Sequence, residues 1–159
     1  MIIQKKKISI NNKPFIIAEF SGNHNQNLKI LKKMVLAAKE AGVTAIKLQT
    51  YTPDTMTLNL PKGEFSVREK DSIWKGRNLY DLFKKAYTPW EWHAEIFKLA
   101  KRYGLIAFSS VFDESSVDFL EKLNVPAYKI SSFENTDIPL IRKVAKTGKP
   151  LILSTGIST

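Results

Sequence analysis

A lysine and a glutamine interrupt an otherwise apolar segment, Ala-Ile-Lys-Leu-Gln-Thr-Tyr, which runs from position 45 to position 51. The segment has the composition of a buried strand. Side chains two residues apart on a strand share a face, so Lys47 and Gln49 are expected to point the same way. Burying a lysine among apolar residues costs free energy unless an anion accompanies it. We interpret that anion as a substrate; the alternative is an edge-strand lysine whose stem packs on apolar surface while its ammonium group reaches water.

Polar side chains also follow the other predicted strands, at the points where those strands end. Together with the pair above, the set comprises Glu19, Lys47, Gln49, Ser109, Ser110, Lys129, Ser131, Ser132 and Ser154. Two lysines supply positive charge and the serines supply short hydroxyl donors, a combination that suits a phosphate or a carboxylate group. Glu19 is a candidate base or an acceptor for a substrate hydroxyl.

Each of these residues also has a purely structural explanation. In that alternative Glu19 and Lys47 form an ion pair with each other, and Lys129 is an ordinary strand lysine. The serines then only end strands or cap turns. The convergence of all of them at strand ends favours a binding site.

The two histidines show no spacing that is typical of metal ligands. His24 lies in a loop beside the predicted site and is a candidate substrate contact; the alternative is a hydrogen bond within the loop. His93 falls within a predicted helix and is interpreted as structural. The sequence contains no glycine-rich phosphate loop, nucleophile elbow or dinucleotide fingerprint.

Short apolar strands alternate with amphipathic helices along most of the chain. Strands are predicted at residues 15–18, 45–49, 105–109, 126–130 and 151–153. Helices are predicted after an Asn27 cap, at residues 78–86, after a Thr88 cap, after an Asp113 cap, and from Asn135 or Thr136. Residues 1–13 are predicted to form a small hairpin or lead-in with a turn signal at residues 11–12. The irregular segment 52–87 is interpreted as an insertion that covers a site.

This alternation predicts an α/β fold with parallel strands joined by right-handed crossovers. A doubly wound sheet would alternate in the same way, but it concentrates polar groups at one switch point. Polar groups at every strand end favour a (β/α)8 barrel of the TIM type. Such a barrel needs about 250 residues, so residues 1–159 are expected to be only its first half, from a truncated or partial gene product. The open edge of a half-barrel is expected to promote self-association.

Composition restricts the classes of function that fit. The content of hydrophobic residues is 43% and there is no cysteine, as expected for one globular domain in a reducing compartment. No apolar run approaches the roughly 18 residues of a membrane span, and no signal peptide is apparent, so a soluble cytoplasmic protein is expected. The net charge of +10 comes mainly from scattered lysines at helical positions, which we attribute to a solvated surface rather than to binding of nucleic acid.

The polar strand ends lie within longer motifs. These are Ile16-Ile17-Ala18-Glu19, Gly22-Asn23-His24-Asn25, Ile46-Lys47-Leu48-Gln49-Thr50, Phe108-Ser109-Ser110-Val111-Phe112, Pro126-Ala127-Tyr128-Lys129-Ile130, Gly148-Lys149-Pro150 and Leu153-Ser154-Thr155-Gly156. In this order and spacing they resemble the sialic acid synthase family over nearly the whole chain from Phe15. The segment 49–55, with Trp74 and the Thr-Pro-Trp-Glu-Trp-His run at 88–93, is most similar to the pseudaminic acid synthase branch.

The resemblance implies a (β/α)8 barrel followed by a small antifreeze-like domain, assembled as a domain-swapped homodimer. It also implies a reaction in which phosphoenolpyruvate condenses with an open-chain amino sugar and phosphate is released. A divalent metal, manganese or magnesium, would polarise the sugar aldehyde. Carbon 3 of phosphoenolpyruvate would attack that aldehyde, and water would add at carbon 2.

The resemblance also assigns residues, position by position. Those matched to phosphoenolpyruvate binding are Lys47, Ser110, Lys129, Ser132 and Ser154. Glu19 matches an acidic residue of proton handling, and Gln49 and Phe112 match residues of the sugar site, where His24 is added as a candidate. Two departures are Val111, where proline is usual, and Phe133, where many members have glycine. The family's metal-binding histidines and sugar-clamping arginine come from later segments, so no metal ligand is expected here and the chain alone is expected to be a poor catalyst.

Two other functions remain open from the residues. One is a non-catalytic half-barrel that binds anions and assembles with itself or with another chain. The other is a different lyase on the same scaffold, such as an aldolase, which would form a Schiff base through a lysine.

Overall fold

The computed structural model describes residues 1–68 and 71–156, in which strands and helices alternate along most of the chain. The strands are β1 (Ile2–Ile3), β2 (Lys6–Lys7), β3 (Ile17–Glu19), β4 (Ala45–Thr50), β5 (Ile106–Val111), β6 (Tyr128–Ile130) and β7 (Leu151–Leu153). The helices are α1 (Leu28–Glu40), α2 (Pro53–Met56), α3 (Leu79–Ala86), α4 (Trp90–Arg102), α5 (Glu114–Lys122) and α6 (Ile138–Lys146), with a 3₁₀ turn at Gly63–Phe65. Within this part of the chain, no helix is long and apolar enough to cross a membrane.

Five parallel strands form the central sheet in the order β3-β4-β5-β6-β7, which is also their order along the chain. Every connection therefore moves in the same direction, and right-handed crossovers place the connecting helices on one face of the sheet. A doubly wound sheet would reverse direction at a switch point, and this sheet has none. The topology is that of about half a (β/α)8 barrel, as the strand-end pattern predicted.

The two faces of the sheet bury different cores. Toward the helices, side chains of β4 such as Ile46 and Leu48 pack against α1 and α4, while Val111 and Ile130 pack against α5 and α6. On the opposite face, which corresponds to a barrel interior, the lower residues are apolar. Ile3 of the β1–β2 hairpin is fully buried against this layer, so the hairpin closes the amino-terminal end of the sheet.

Several element boundaries differ from the sequence prediction for local reasons. The N-terminal hairpin turns at Gln4, with φ 51°, rather than at residues 11–12. The last helix is capped by Asp137, whose side chain accepts from the Leu140 amide at 3.0 Å, and not by Asn135 or Thr136. Helix α4 begins after Pro89 because the hydroxyl of Thr88, the predicted cap, is bonded to His24 instead. The Asn27 and Asp113 caps are confirmed.

His93 ties α4 to the sheet through buried polar contacts. Its Nδ1 donates to the Pro89 carbonyl (3.3 Å), so in the neutral ring Nε2 accepts from the Thr50 hydroxyl (2.9 Å). The Thr50 hydroxyl also lies 2.6 Å from Ser109 Oγ on β5. Burial lowers the pKa of His93 from 6.5 to about 4. The structural interpretation of this histidine therefore holds.

The depressed pKa of His93 predicts a pH dependence of folding. Between pH 6.5 and about 4 the unfolded chain binds a proton at His93 and the folded chain does not, so the free energy of unfolding is expected to fall as the pH falls through this window. The loss attributable to His93 is on the order of 3 kcal/mol. Urea unfolding at pH 7, 5.5 and 4.5 tests it, with His93→Gln as the comparison. Equal pH dependence in the two proteins would contradict the prediction.

Candidate active site at the carboxyl ends of the strands

The strand register brings five of the predicted polar residues onto one face, whereas Ser109, in register with Leu48, faces the helices and contacts Thr50. Glu19 on β3 lies opposite Lys47 on β4, Gln49 lies opposite Ser110 on β5, and Ser110 lies opposite Lys129 on β6. Residues in register on parallel strands project to the same side of a sheet. The polar groups therefore form a layer, with Phe108 and Ile152 between them, toward the carboxyl ends of the strands, where α/β folds place their sites.

Lys47 has a carboxylate partner within the chain. Its ammonium group forms an ion pair with Glu19 Oε2 and donates to Ser110 Oγ at 3.0 Å. The side chain is only 13% exposed, and β4 is paired on both sides, so the edge-strand alternative is wrong. The ion-pair alternative is correct for this structure, and any bound anion would share Lys47 with Glu19.

Glu19 is oriented by the turn that follows it. Its Oε1 accepts from the Ser21 amide at 3.0 Å and faces the Ser21 hydroxyl at 3.3 Å. Ser21 has φ 44°, a left-handed conformation that few residues other than glycine adopt. The carboxylate is thus held between a strained turn on one side and Lys47 on the other, with 38% of its side chain exposed.

Lys129 forms a second cationic group with its own hydroxyl partner. Its ammonium group donates to Ser154 Oγ and to the Ile130 carbonyl, both at 2.6 Å. Ser132 reaches the same region, because a Cβ added at Gly156 would lie 3.0 Å from Ser132 Oγ. The glycine therefore leaves room for the hydroxyl beside the end of β7.

Lys129 lies close enough to Lys47 to affect the pKa of that lysine. Burial and the charge of Lys129 lower the pKa of Lys47 to about 8. Burial also lowers the pKa of Lys129. Two partly buried cations with lowered pKa values are stabilised in their charged form when an anion binds between them. The pair is thus suited to a ligand that carries more than one negative group.

Glu134 was missed as a site residue by the sequence reasoning. It lies in the turn after β6, and its buried Oε2 has no hydrogen-bond partner among residues 1–68 and 71–156. Burial raises its pKa, while Lys129 acts in the opposite direction. Its position, two residues after Ser132 in a polar strand-end segment, was the available signal.

Phe112 lies near the strand ends, as the sequence predicted, whereas His24 does not reach the polar layer. The Phe112 ring packs edge-on against Tyr51, with 5.3 Å between ring centroids, directly above the ends of β4 and β5. His24 is fully buried and is not brought to the polar layer. Its Nδ1 accepts from the Gln26 amide (3.0 Å) and its Nε2 donates to Thr88 Oγ1 (2.9 Å). The alternative prediction for His24, a hydrogen bond within the loop, is therefore correct for this structure.

The described residues do not fit a divalent metal. Across residues 1–68 and 71–156, no group of three or more histidine, cysteine or carboxylate side chains is arranged to hold an ion. His24 and His93 use both ring nitrogens in contacts with the protein itself.

Comparison with known proteins identifies the family. The model described as the NeuB family matches residues 34–159, which include every polar strand end after the first. The chain belongs to the NeuB family. The resemblance to sialic acid synthases, and to pseudaminic acid synthases in particular, is thereby confirmed.

Curated relatives and solved structures agree with this NeuB assignment. The chain is 51% identical over 146 residues to a pseudaminic acid synthase of Helicobacter pylori, covering 92% of this chain and 42% of that protein. A sialic acid synthetase of Leptospira borgpetersenii superposes with a TM-score of 0.83 at 25% identity, over the whole of this chain and 50% of its own. The spore coat protein SpsE of Bacillus subtilis gives 0.75 at 30% identity, over 98% and 39%. The half-barrel prediction is confirmed, and the chain spans less than half the length of the curated relative.

The lowering of the Lys47 pKa by the charge of Lys129 predicts how Lys47 titrates in this NeuB-family chain. Lys47 is expected to titrate near pH 8, and Lys129→Gln is expected to raise that pKa because it removes a neighbouring positive charge. The measurement is NMR of the lysine side-chain resonances against pH. Lys143→Gln, which removes a lysine paired with Asp118 on the helical face, serves as the control and should leave Lys47 unchanged. An unchanged pKa in Lys129→Gln would contradict the proposed proximity.

Proposed function

We propose that this chain supplies the phosphoenolpyruvate-binding part of a synthase that condenses phosphoenolpyruvate with an open-chain amino sugar. The product is a nonulosonic acid of the pseudaminic type, and phosphate is released. The observation that carries the proposal is the pair of buried lysines, Lys47 and Lys129, each with a serine hydroxyl at a strand end. The names of the NeuB-family relatives support the type of product.

The shape of the polar layer suits phosphoenolpyruvate. This substrate carries a phosphate ester and a carboxylate on the same carbon. The layer offers two cations, on β4 and β6, with Ser110 of β5 between them and further hydroxyl groups at Ser132 and Ser154. Lysine supplies point charge and serine supplies directed donors for oxyanions. The interior floor beneath is apolar, so water has limited access from below.

The proposed reaction forms a carbon–carbon bond and a carbon–oxygen bond from water, and it breaks the carbon–oxygen bond to phosphate. The enol π electrons of phosphoenolpyruvate leave carbon 3 to attack the aldehyde carbon, and the aldehyde oxygen takes a proton. Carbon 2, now electron-deficient, accepts a water molecule that loses a proton. The resulting tetrahedral phosphate ester collapses to a ketone and inorganic phosphate. The two lysines hold the phosphate and carboxylate charges throughout.

Glu19 and Glu134 are the proposed carriers of protons. Glu19 forms an ion pair with Lys47 before substrate binds; a bound anion would compete for that lysine and leave the carboxylate able to accept a proton from water. The Oε2 atom of Glu134 is buried and burial raises the pKa of its carboxyl group, a shift in the direction that favours donation of a proton. Gln49 and Phe112 are proposed to border the sugar.

The whole enzyme is proposed to be a cytoplasmic homodimer that uses manganese or magnesium. This part of the proposal rests on the family resemblance. The described residues offer no metal site of their own, so no step above is assigned to a metal.

Binding of phosphoenolpyruvate to this chain is the first test. Calorimetry is expected to show saturable binding that weakens as the pH rises through about 8, because Lys47 then loses its charge. Lys129→Ala and Lys47→Ala should each weaken binding at least tenfold, since a charged hydrogen bond is worth about 1.5–3 kcal/mol. Glu19→Gln should bind equally well or more tightly, because it removes the competing carboxylate.

Lys143→Ala, outside the site, is the control for loss of surface charge. Unchanged binding in a folded Lys129→Ala sample would exclude the lysine as a ligand. Failure of the unaltered, folded chain to bind would mean that the anion site requires segments beyond those described.

Turnover distinguishes the synthase from its alternatives. The chain alone is expected to release no phosphate from phosphoenolpyruvate with an N-acylated amino hexose. A chimaera in which it replaces the matching region of the Helicobacter pylori relative is expected to do so, and Glu19→Gln should lower that rate about 100-fold or more. Phosphate release by the chain alone would refute the first expectation. A pyruvate adduct trapped by borohydride would instead indicate an aldolase, and normal rates in Glu19→Gln and Lys47→Ala would favour the non-catalytic alternative.

A further inference from the structure

The first part of the chain carries an unbalanced positive charge. Residues 1–18 contain Lys5, Lys6, Lys7 and Lys13 and no aspartate or glutamate, so they supply four of the ten net positive charges. All four lysines are exposed. None of them forms an ion pair with the part of the chain that the structure describes. The β1–β2 hairpin and the segment after it therefore place a cluster of unpaired cations at the amino-terminal end of the sheet.

The helices add basic residues at the same end. Each crossover helix runs back toward the amino-terminal ends of the parallel strands, so its last turn lies there. The last turns carry Lys39 of α1, Lys101 and Arg102 of α4, Lys122 of α5 and Lys146 of α6. These residues also complement the helix dipoles, which is a structural explanation for them. That explanation does not apply to the lysines of the hairpin.

A groove joins the hairpin to two of the helix ends. Its volume is about 700 Å³, and Gln4 of the hairpin turn lines it together with Lys98, Lys101 and Lys122. Within residues 1–68 and 71–156, these three lysines have no carboxylate partner. We call residues 1–13, together with the last turns of α4 and α5, the basic end. It forms one continuous surface of positive charge.

Apolar side chains are exposed beside these lysines. Ile10 is 98% exposed and Ile2 is 58% exposed. Ile2 lies opposite Lys7 in the hairpin, and residues opposite each other on antiparallel strands point to the same side. Ile3 points to the other side and is fully buried in the core. The hairpin is thus anchored by Ile3, while its outer side presents isoleucine next to lysine.

This combination fits an anionic lipid surface better than it fits nucleic acid. Lysines are attracted to the headgroups of an anionic membrane, and apolar side chains enter the boundary between headgroups and acyl chains. A nucleic acid would attract the same lysines, but it offers no apolar phase for Ile2 and Ile10. Single strands stack their bases on aromatic side chains, and residues 1–14 contain none.

The basic end lies opposite the candidate active site. Lys47 and Lys129 belong to the polar layer toward the carboxyl ends of the strands, whereas Ile3 of the hairpin packs at their amino-terminal ends. A membrane that contacts the basic end therefore leaves the polar layer open to dissolved substrates. The hairpin also precedes residues 34–159, which the NeuB model matches, so it lies outside the region that defines the family.

We propose that the basic end docks this chain on an anionic membrane surface. Lys5, Lys6 and Lys7 contact the lipid headgroups, and Ile2 and Ile10 enter the interfacial layer. The docking weakens as salt is added, because dissolved ions screen the attraction between exposed charges. It does not depend on the proposed reaction, since no residue of the basic end belongs to the polar layer.

Sedimentation with lipid vesicles tests the proposal. The folded chain is expected to bind vesicles of phosphatidylglycerol and phosphatidylcholine in equal parts, and to bind phosphatidylcholine vesicles at least about tenfold more weakly. The triple variant Lys5→Gln/Lys6→Gln/Lys7→Gln is expected to bind the mixed vesicles about 100-fold more weakly, because each lysine at an anionic surface contributes about fivefold. Ile10→Ser is expected to weaken binding about tenfold, because it removes an apolar side chain from the interfacial layer.

The matched control is Lys29→Gln/Lys33→Gln/Lys75→Gln, which removes the same charge from exposed positions outside the basic end. This variant is expected to bind the mixed vesicles as the unaltered chain does. Circular dichroism checks that every variant is folded.

Absence of vesicle binding by the folded, unaltered chain would overturn the proposal, as would equal binding to neutral vesicles. Equal losses in the two triple variants or full binding by Ile10→Ser would also overturn it. Tighter binding to a mixed-sequence DNA duplex than to the vesicles would assign the surface to nucleic acid instead. Phosphoenolpyruvate binding is expected to be the same in Lys5→Gln/Lys6→Gln/Lys7→Gln as in the unaltered chain, so separate measurements test the docking and the proposed function.

Discussion

The burial of Lys47 within a central strand is the constraint on which the site depends. An ammonium group with 13% of its side chain exposed requires an anion beside it. The adjacent strand supplies one, since the β3–β4 register sets Glu19 opposite the lysine, and the Ser21 turn fixes the carboxylate in place. Lys129 then lowers the pKa of Lys47. The single carboxylate of Glu19 does not balance the charge of both lysines. The arrangement pairs one buried cation within the chain and still has capacity for a further anion.

Local sequence patterns predicted those features that depend on local geometry. The alternation of Lys47 and Gln49 gave their common face, and polar residues at consecutive strand ends gave a barrel rather than a doubly wound sheet. Such local patterns do not predict contacts between residues that are far apart in the sequence. Thr88 has the sequence features of a helix cap, yet its hydroxyl group forms a hydrogen bond with His24, 64 residues away. The same contact keeps His24 out of the polar layer. Glu134 was overlooked because its unpaired oxygen follows from burial, which the sequence of a turn does not show.

The interior face of the half-barrel places apolar support beside its charged groups. Phe108 lies in register with Lys47 and Ile152 with Lys129, while Ile3 and Ala45 fill the interior nearer the amino-terminal end of the sheet. The irregular segment between β4 and α4 adds a third surface, which hydrogen bonds from the Gln26 side-chain amide to the Lys84 and Tyr87 carbonyls attach to the loop after Glu19. Charge, apolar support and aromatic side chains thus come from different parts of the chain and meet at one end of the sheet.

The strand order has a consequence for how the protein is made. Each strand of the sheet pairs with the strand synthesised just before it, so the sheet can grow one unit at a time as the polypeptide leaves the ribosome. In that sequence of events Glu19 is available to Lys47 well before Lys129 exists. The first buried cation is neutralised early, and the second is added to a surface that is already folded. The growing edge remains open at every stage. Its unpaired backbone groups can pair with other chains until the next strand is synthesised, so translation speed and chaperones affect how long it stays exposed.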